Sequence, residues 1–207
     1  MEITKLFVLN TSDFVFSFVV QNPGFAQKAA AVSIEVSGGL NLPRQKMNFG
    51  TSDLMLYPLV VTGPTFVTSE IGQSTSFPSY NNQITVTFSA NIKLTEGSII
   101  TLSSLGKNVT ASWMPLDTVN LTGDSSYFSD SPGGSDSKGI LNSLTETLKL
   151  FVLKPIDAFQ TIVISFNVTN PGCFRPAADV CIAASNILTE NCPHNATIER
   201  SQIKVRN

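Results

Sequence analysis

Ser17 to Ser37 reads SFVVQNPGFAQKAAAVSIEVS, and Ser165 to Ser185 reads SFNVTNPGCFRPAADVCIAAS. Eleven of the 21 aligned positions are identical. The match resumes upstream after a four-residue gap, where Glu2 and Lys5 to Leu9 reappear as Glu146 and Lys149 to Leu153. Self-similarity at a fixed spacing marks a tandem array. A spacing of about 148 residues makes each unit the size of a domain, not of a solenoid turn. The chain therefore divides into residues 1–54, the C-terminal strands of a preceding copy, and residues 55–207, a complete module. Met1 then falls inside a module, and the expectation is a piece cropped or processed from a longer polypeptide.

Working outward from the repeat, apolar residues alternate with polar ones at period two. Ile162, Ile164, Phe166 and Val168 alternate with Val163, Ser165, Asn167 and Thr169. Ile84, Val86 and Phe88 do the same, as do Val32, Ile34 and Val36. Alternation of this kind marks strands with one buried and one solvated face, the habit of antiparallel sheets. Asn22-Pro23-Gly24 and Asn170-Pro171-Gly172 end the equivalent strand in both copies, Pro fixing φ and Gly accepting the turn that follows. Further strands are expected at 56–62, 66–70, 83–89, 98–103, 109–113, 119–122, 148–153, 161–169, 180–184 and 197–204. Only Ala29 to Ala31 and Ile140 to Lys149 have helix-tolerant composition, and the Ser/Gly/Asp stretch Gly123 to Gly139 reads as a flexible surface loop. The fold expected is all-β: an antiparallel two-sheet sandwich of immunoglobulin-like type.

Composition narrows the function classes. Aliphatic and aromatic residues make up 42% of the 207, enough for a core, while only 14% are charged. A net charge of -2, with Lys and Arg spread singly, argues against a nucleic-acid partner, which needs a clustered basic face. No run approaches the ~18 apolar residues of a membrane span, so no membrane insertion is expected. No Gly-x-Ser-x-Gly elbow or phosphate-binding glycine loop occurs, and the sole histidine, His194, stands among a cysteine, a proline and a sequon near the chain end. The reading is therefore of a non-enzyme with no catalytic residues and no cofactor.

Five Asn-x-Ser/Thr sequons occur, at Asn10, Asn108, Asn120, Asn167 and Asn195, and are the candidate glycosylation sites. The three cysteines, Cys173, Cys181 and Cys192, lie close together late in the chain. Their spacing lacks the paired ligands of a zinc site, so no metal is expected. In a secreted chain, Cys173 and Cys192 form the expected disulfide, with Cys181–Cys192 as the competing pair. Asp124, Asp130 and Asp136 share the 123–139 loop without a calcium-loop spacing. Tyr57, Tyr80, Trp113 and Tyr127 are the aromatic residues available to stack on sugar, though Trp113 reads more simply as core.

The run Phe66 to Leu105, FVTSEIGQSTSFPSYNNQITVTFSANIKLTEGSIITLSSL, resembles a repeated β-sandwich module of very large extracellular or cell-surface proteins of algae and other protists. The likeness lies in Ile100-Thr101-Leu102-Ser103-Ser104-Leu105 after a Gly turn, a following Trp113, and the strand ends Phe18 to Pro23 and Phe166 to Pro171. The cysteine cluster departs from that pattern. The resemblance implies a structural or adhesive surface component and brings no catalytic residues with it. The function expected is a structural module of a secreted or cell-surface repeat glycoprotein, building or spacing a fibre, coat or appendage. A carbohydrate- or receptor-binding adhesion module is the alternative. The partners expected are other copies of the module, with carbohydrate as a candidate ligand. Residues 1–54 must also bury their apolar strands, either on the complete module or in a sandwich completed by a neighbouring chain.

Overall fold

The computed structural model describes residues 15, 17–20, 22, 26–39, 41–48, 50, 56–106, 116–174, 176–188 and 196–205. Among them are thirteen strands and no α-helix, so the protein is all-β. β1 (Ser33–Val36) and β2 (Leu42–Lys46) form a separate two-stranded antiparallel hairpin. The other strands are β3 (Phe66–Gln73), β4 (Asn81–Ala90), β5 (Ile99–Ser103), β6 (Leu116–Gly123), β7 (Phe128–Ser129), β8 (Lys138–Asn142), β9 (Thr147–Val152), β10 (Ile162–Thr169), β11 (Cys181–Ile187), β12 (Ala196–Gln202) and β13 (Lys204–Val205). These eleven join in one ladder of order β12-β11-β5-β9-β8-β6-β10-β4-β3-β13, with β7 added on β9. β12 and β13 stand at opposite ends of that ladder yet are separated in sequence by Ile203 alone. The sheet therefore curls into a nearly closed, barrel-like form.

β6 makes the turn between its two halves. Residues 116–120 pair with β8, whereas Leu121, Thr122 and Gly123 pair with β10. At the end of β6 the Asp124 amide donates to the Val163 carbonyl, and the Val163 amide donates to Asp124 Oδ2, both at 2.8 Å. Gly123 has φ +79°, and a Cβ there would run into the Val163 carbonyl. Only glycine permits this close approach at little cost.

The alternating pattern does what the sequence implies. Along β10, Ile162, Ile164, Phe166 and Val168 are buried, while Val163, Asn167 and Thr169 are exposed. All eight residues of β10 pair in unbroken register with β4, from Ile162 opposite Phe88 to Thr169 opposite Asn81. Phe88 meets Phe66 edge-on at 5.9 Å between ring centroids and Phe128 at 6.3 Å. One core results. Its buried apolar side chains all fall between Ile71 and Ile203, so no described residue of the first copy contributes.

Two expectations need correction, the strand at 56–62 and the flexible loop at 123–139. Residues 56–62 form no strand; a turn at 57–59 leads to a single bridge between Val61 and Gln27. Ile140 to Lys149 belongs to a β8–β9 hairpin. Asn142 Oδ1 accepts the Leu144 and Thr145 amides at 2.9 and 3.0 Å, and Glu146 takes a left-handed φ of 56°. A side chain that closes its own turn overrides helix-tolerant composition. The 123–139 stretch is not a loose loop either. It carries β7, Phe128 is fully buried, and the Ser125 hydroxyl donates to Ser137 Oγ at 3.0 Å. An aromatic anchor inserted into a core outweighs the Ser/Gly/Asp composition around it. The expected strand at 109–113 and the expected boundary at 54/55 lie outside the described residues.

Candidate functional site

The feature that sets this molecule apart is the repeated segment, because its two copies have opposite surroundings. Phe166, Val168, Ile182 and Ala184 are 2%, 2%, 0% and 2% exposed, whereas Phe18, Val20, Ile34 and Val36 are 62%, 50%, 44% and 43% exposed. In the second copy, β10 sits between β4 and β6, and β11 sits between β5 and β12. In the first copy, residues 17–20 form no strand, and Ser33–Val36 pairs with Leu42–Lys46 alone. Leu42 and Met47 add to the exposed apolar surface of that hairpin. Among the described residues, hydrogen bonds between 27–30 and 57–61 tie the first copy to the rest, and Gln27 Nε2 donates to the Leu59 carbonyl at 2.8 Å. Gln27 and Val61 exchange amide–carbonyl bonds of 2.8 and 2.9 Å, and the Ala30 amide donates to the Pro58 carbonyl at 3.2 Å.

The repeated Asn of Asn-Pro-Gly has a definite task in the second copy. Asn82 is almost wholly buried on β4. Its Oδ1 accepts the Ser74 amide at 3.1 Å, the Thr75 amide at 3.2 Å and the Ser74 hydroxyl at 3.3 Å. Its Nδ2 donates to Gln73 Oε1 at 3.0 Å and to Asn170 Oδ1 at 2.8 Å. Asn170 Nδ2 in turn donates to the carbonyls of Thr75 and Phe77 at 3.2 and 2.9 Å. The two amides thus pin the β3–β4 loop against the end of β10, with both amide groups of Asn82 satisfied. A buried network of this kind is stabilising only when complete. Sequence reading placed Asn170 in a turn and missed its partner, since nothing in the spacing of 88 residues pairs Asn82 with Asn170.

The pinned loop presents two exposed rings, Phe77 and Tyr80, 5.8 Å apart at 54°. Tyr127, by contrast, packs beside Phe128, and its hydroxyl accepts from Gln160 Nε2 at 3.0 Å. Trp113 lies outside the described residues. A shallow groove of about 410 Å³ on the outer side of β8 and β9 is lined by Leu116, Asp130, Ile140, Asn142, Lys149 and Phe151. Among the described residues, no three His, Cys, Asp or Glu side chains stand close enough to share a metal ion.

Of the sequons, Asn120 on β6 and Asn167 on β10 are exposed. Asn120 pairs with Lys138 on β8, and Asn167 with Gln83 on β4. Asn10, Asn108 and Asn195 lie outside the described residues. Cys173 is exposed and Cys181 half-buried, both as thiols, and Cys181 Sγ approaches the Asp179 carbonyl at 3.7 Å. The expected Cys173–Cys192 bond, and its Cys181–Cys192 competitor, end on a residue outside the described ones.

No protein-family model matches the chain, and no curated protein matches it. Among solved structures, it is similar to a GH20 exo-β-N-acetylglucosaminidase from Vibrio harveyi, at 10% identity and a TM-score of 0.36 over 70% of this chain. It is also similar to a putative membrane anchored protein from Corynebacterium diphtheriae, at 12% identity and a TM-score of 0.35 over 68% of this chain. The chain spans 18% and 36% of those proteins' lengths. Likeness at that level carries no chemistry from one protein to the other.

Proposed function

We propose that this chain is a structural module of a secreted or cell-surface repeat glycoprotein, one that builds or spaces an extracellular fibre, coat or appendage. In this reading the ladder is an immunoglobulin-like two-sheet sandwich, with β6 and the β12–β13 link passing between the sheets. Residues 55–207 are one module and residues 1–54 the end of the one before. The protein is not an enzyme, and its partners are other copies of the module, in tandem or head to tail. The observation that carries the reading is the segment found twice, core in one copy and surface in the other, as an array divided between modules would have it. The resemblance of Phe66 to Leu105 to repeated surface modules supports the location. Two exposed sequons, Asn120 and Asn167, suit a glycoprotein. A secreted sample should carry sugar at these two sites.

The test is where the protein sits. Antibody against residues 55–207 should label the outside of intact, unpermeabilised source cells or the material they shed. Label confined to the cell interior contradicts the proposal. The adhesion reading keeps one supporting observation, the exposed Phe77–Tyr80 ring pair, a geometry suited to stacking on a sugar ring. Glycan-array binding that disappears in Tyr80→Ala would favour it over a purely structural role.

A further inference from the structure

We infer that residues 17–20, 22 and 33–36 are a docking surface for one kind of partner: an incomplete strand set equivalent to β3–β8, the first part of another module. The inference rests on the tandem-module reading for its partner, but not on the extracellular location.

The repeat itself identifies the occupant. In the second copy the residues equivalent to Val20, Ile34 and Val36 are Val168, Ile182 and Ala184, all buried and all in strands paired with β4 or β5. Val168 pairs with Asn82 on β4, and Ile182 lies opposite Leu102 on β5. Apolar residues in the same order, identical at Val20 and Ile34, fit the same kind of surface. Asn22 strengthens the match. Its counterpart Asn170 reads the β3–β4 loop through Asn82, Thr75 and Phe77. An Asn kept at the same place in the repeat, although Asn22 is exposed in this chain, points to a partner that carries an equivalent loop.

An intact second copy is a poor occupant. In such a copy β10 already fills the place between β4 and β6, and β11 the place between β5 and β12. Exchanging one segment for the other would uncover as much apolar surface as it buries. A strand set that lacks its own closing strands has the complementary vacancy, and there each side chain gains the burial its counterpart has.

The test supplies that set. The upstream match aligns Lys5 with Lys149, so joining a copy of residues 56–144 directly to Met1 of the full chain restores the register of the second module. Hydrogen exchange then reads residues 17–20 and 33–36, with 162–169 as the internal standard. The expected result is exchange about a hundredfold slower at 17–20 in the fusion than in the chain alone. That protection should be lost in the fusion carrying Val20→Asp and Ile34→Asp, with 162–169 unchanged. Unaltered exchange at 17–20 in the fusion, or protection that survives both substitutions, overturns the inference.

The unextended chain gives a second reading that does not depend on the fusion folding. Val20→Asp with Ile34→Asp should leave its melting temperature unchanged and reduce its binding of a hydrophobic dye. A fall of more than about 4 °C would mean these side chains are packed within this chain, and the inference fails. A concentration-dependent oligomer of the chain that the two substitutions dissolve would make an intact copy the occupant, and it fails on that side too. Interior labelling of source cells, by comparison, would remove the extracellular role and leave the docking result standing.

Discussion

In the second copy of the repeat, Ile182 lies between β5 and β12 against a closed core; its counterpart Ile34 stands in a two-stranded hairpin with 44% of its surface exposed. The two segments carry the same alternation and the same Asn-Pro-Gly turn. What differs is the presence of non-local partners. β10 gains eight paired residues from a strand some 80 positions away, whereas residues 17–20 belong to no strand. Strand propensity describes fitness for a pleated, half-buried surface, and without the other half the surface stays wet. Burial of each Val, Ile or Phe contributes about 1.5–3 kcal/mol, which the second copy collects and the first largely forgoes.

The contrast can be broken most sharply at matched core positions. Ile182→Ala or Phe166→Ala should destabilise the chain by about 3–5 kcal/mol by creating a cavity. Ile34→Ala should cost no more than about 0.5 kcal/mol, as surface changes do. Urea denaturation followed by circular dichroism measures both. Comparable costs at Ile34 and Ile182 would mean that the first copy is packed after all.

Backbone and amide positions should give intermediate effects. Gly123→Ala forces a Cβ toward the Val163 carbonyl at a positive φ, a strain of about 1–3 kcal/mol. Gly38→Ala, with nothing within 4 Å of the new methyl, carries only the φ penalty of about 1 kcal/mol. Asn170→Ala leaves Asn82 and two loop carbonyls short of a partner and should cost about 1–3 kcal/mol. Asn22→Ala should be silent in the unextended chain. Thermal melts of the two pairs sharpen the comparison, because each matches a residue of the assembled module with one of the unassembled hairpin.

The smallest effect belongs to the hairpin's own ion pair. Arg44 Nε meets Glu35 Oε2 at 3.2 Å with both side chains mostly in solvent. Arg44→Ala should therefore shift the main unfolding transition by less than can be measured, since exposed pairs contribute about 0–1 kcal/mol. A clear loss would couple β1–β2 to the core.

Strands with a clean alternation were legible from the residues alone: β1, β4 and β10 fall where Ile, Val and Phe alternate with polar residues, and β3, β5, β6, β9 and β11 fall on apolar runs between turn signals. β8 was hidden because Lys138-Gly139-Ile140-Leu141-Asn142 has no period of its own and is defined by the Asn142 turn. β7 was hidden because two residues, anchored by one buried Phe128, carry no periodicity at all. The repeat exposed the docking segment, but its vacancy became visible only when the burial of both copies could be compared. The Asn82–Asn170 contact was beyond reach, since side-chain amides far apart in sequence announce nothing about each other.

Hydrogen–deuterium exchange on the unextended chain tests the central claim most directly, with residues 17–20 compared against 165–168 in one sample. The account predicts exchange at 17–20 close to that of an unstructured peptide, while 165–168 is held back to nearly the limit of global unfolding. Equal and strong protection in both copies would show the first segment already seated in a core, and would contradict the account.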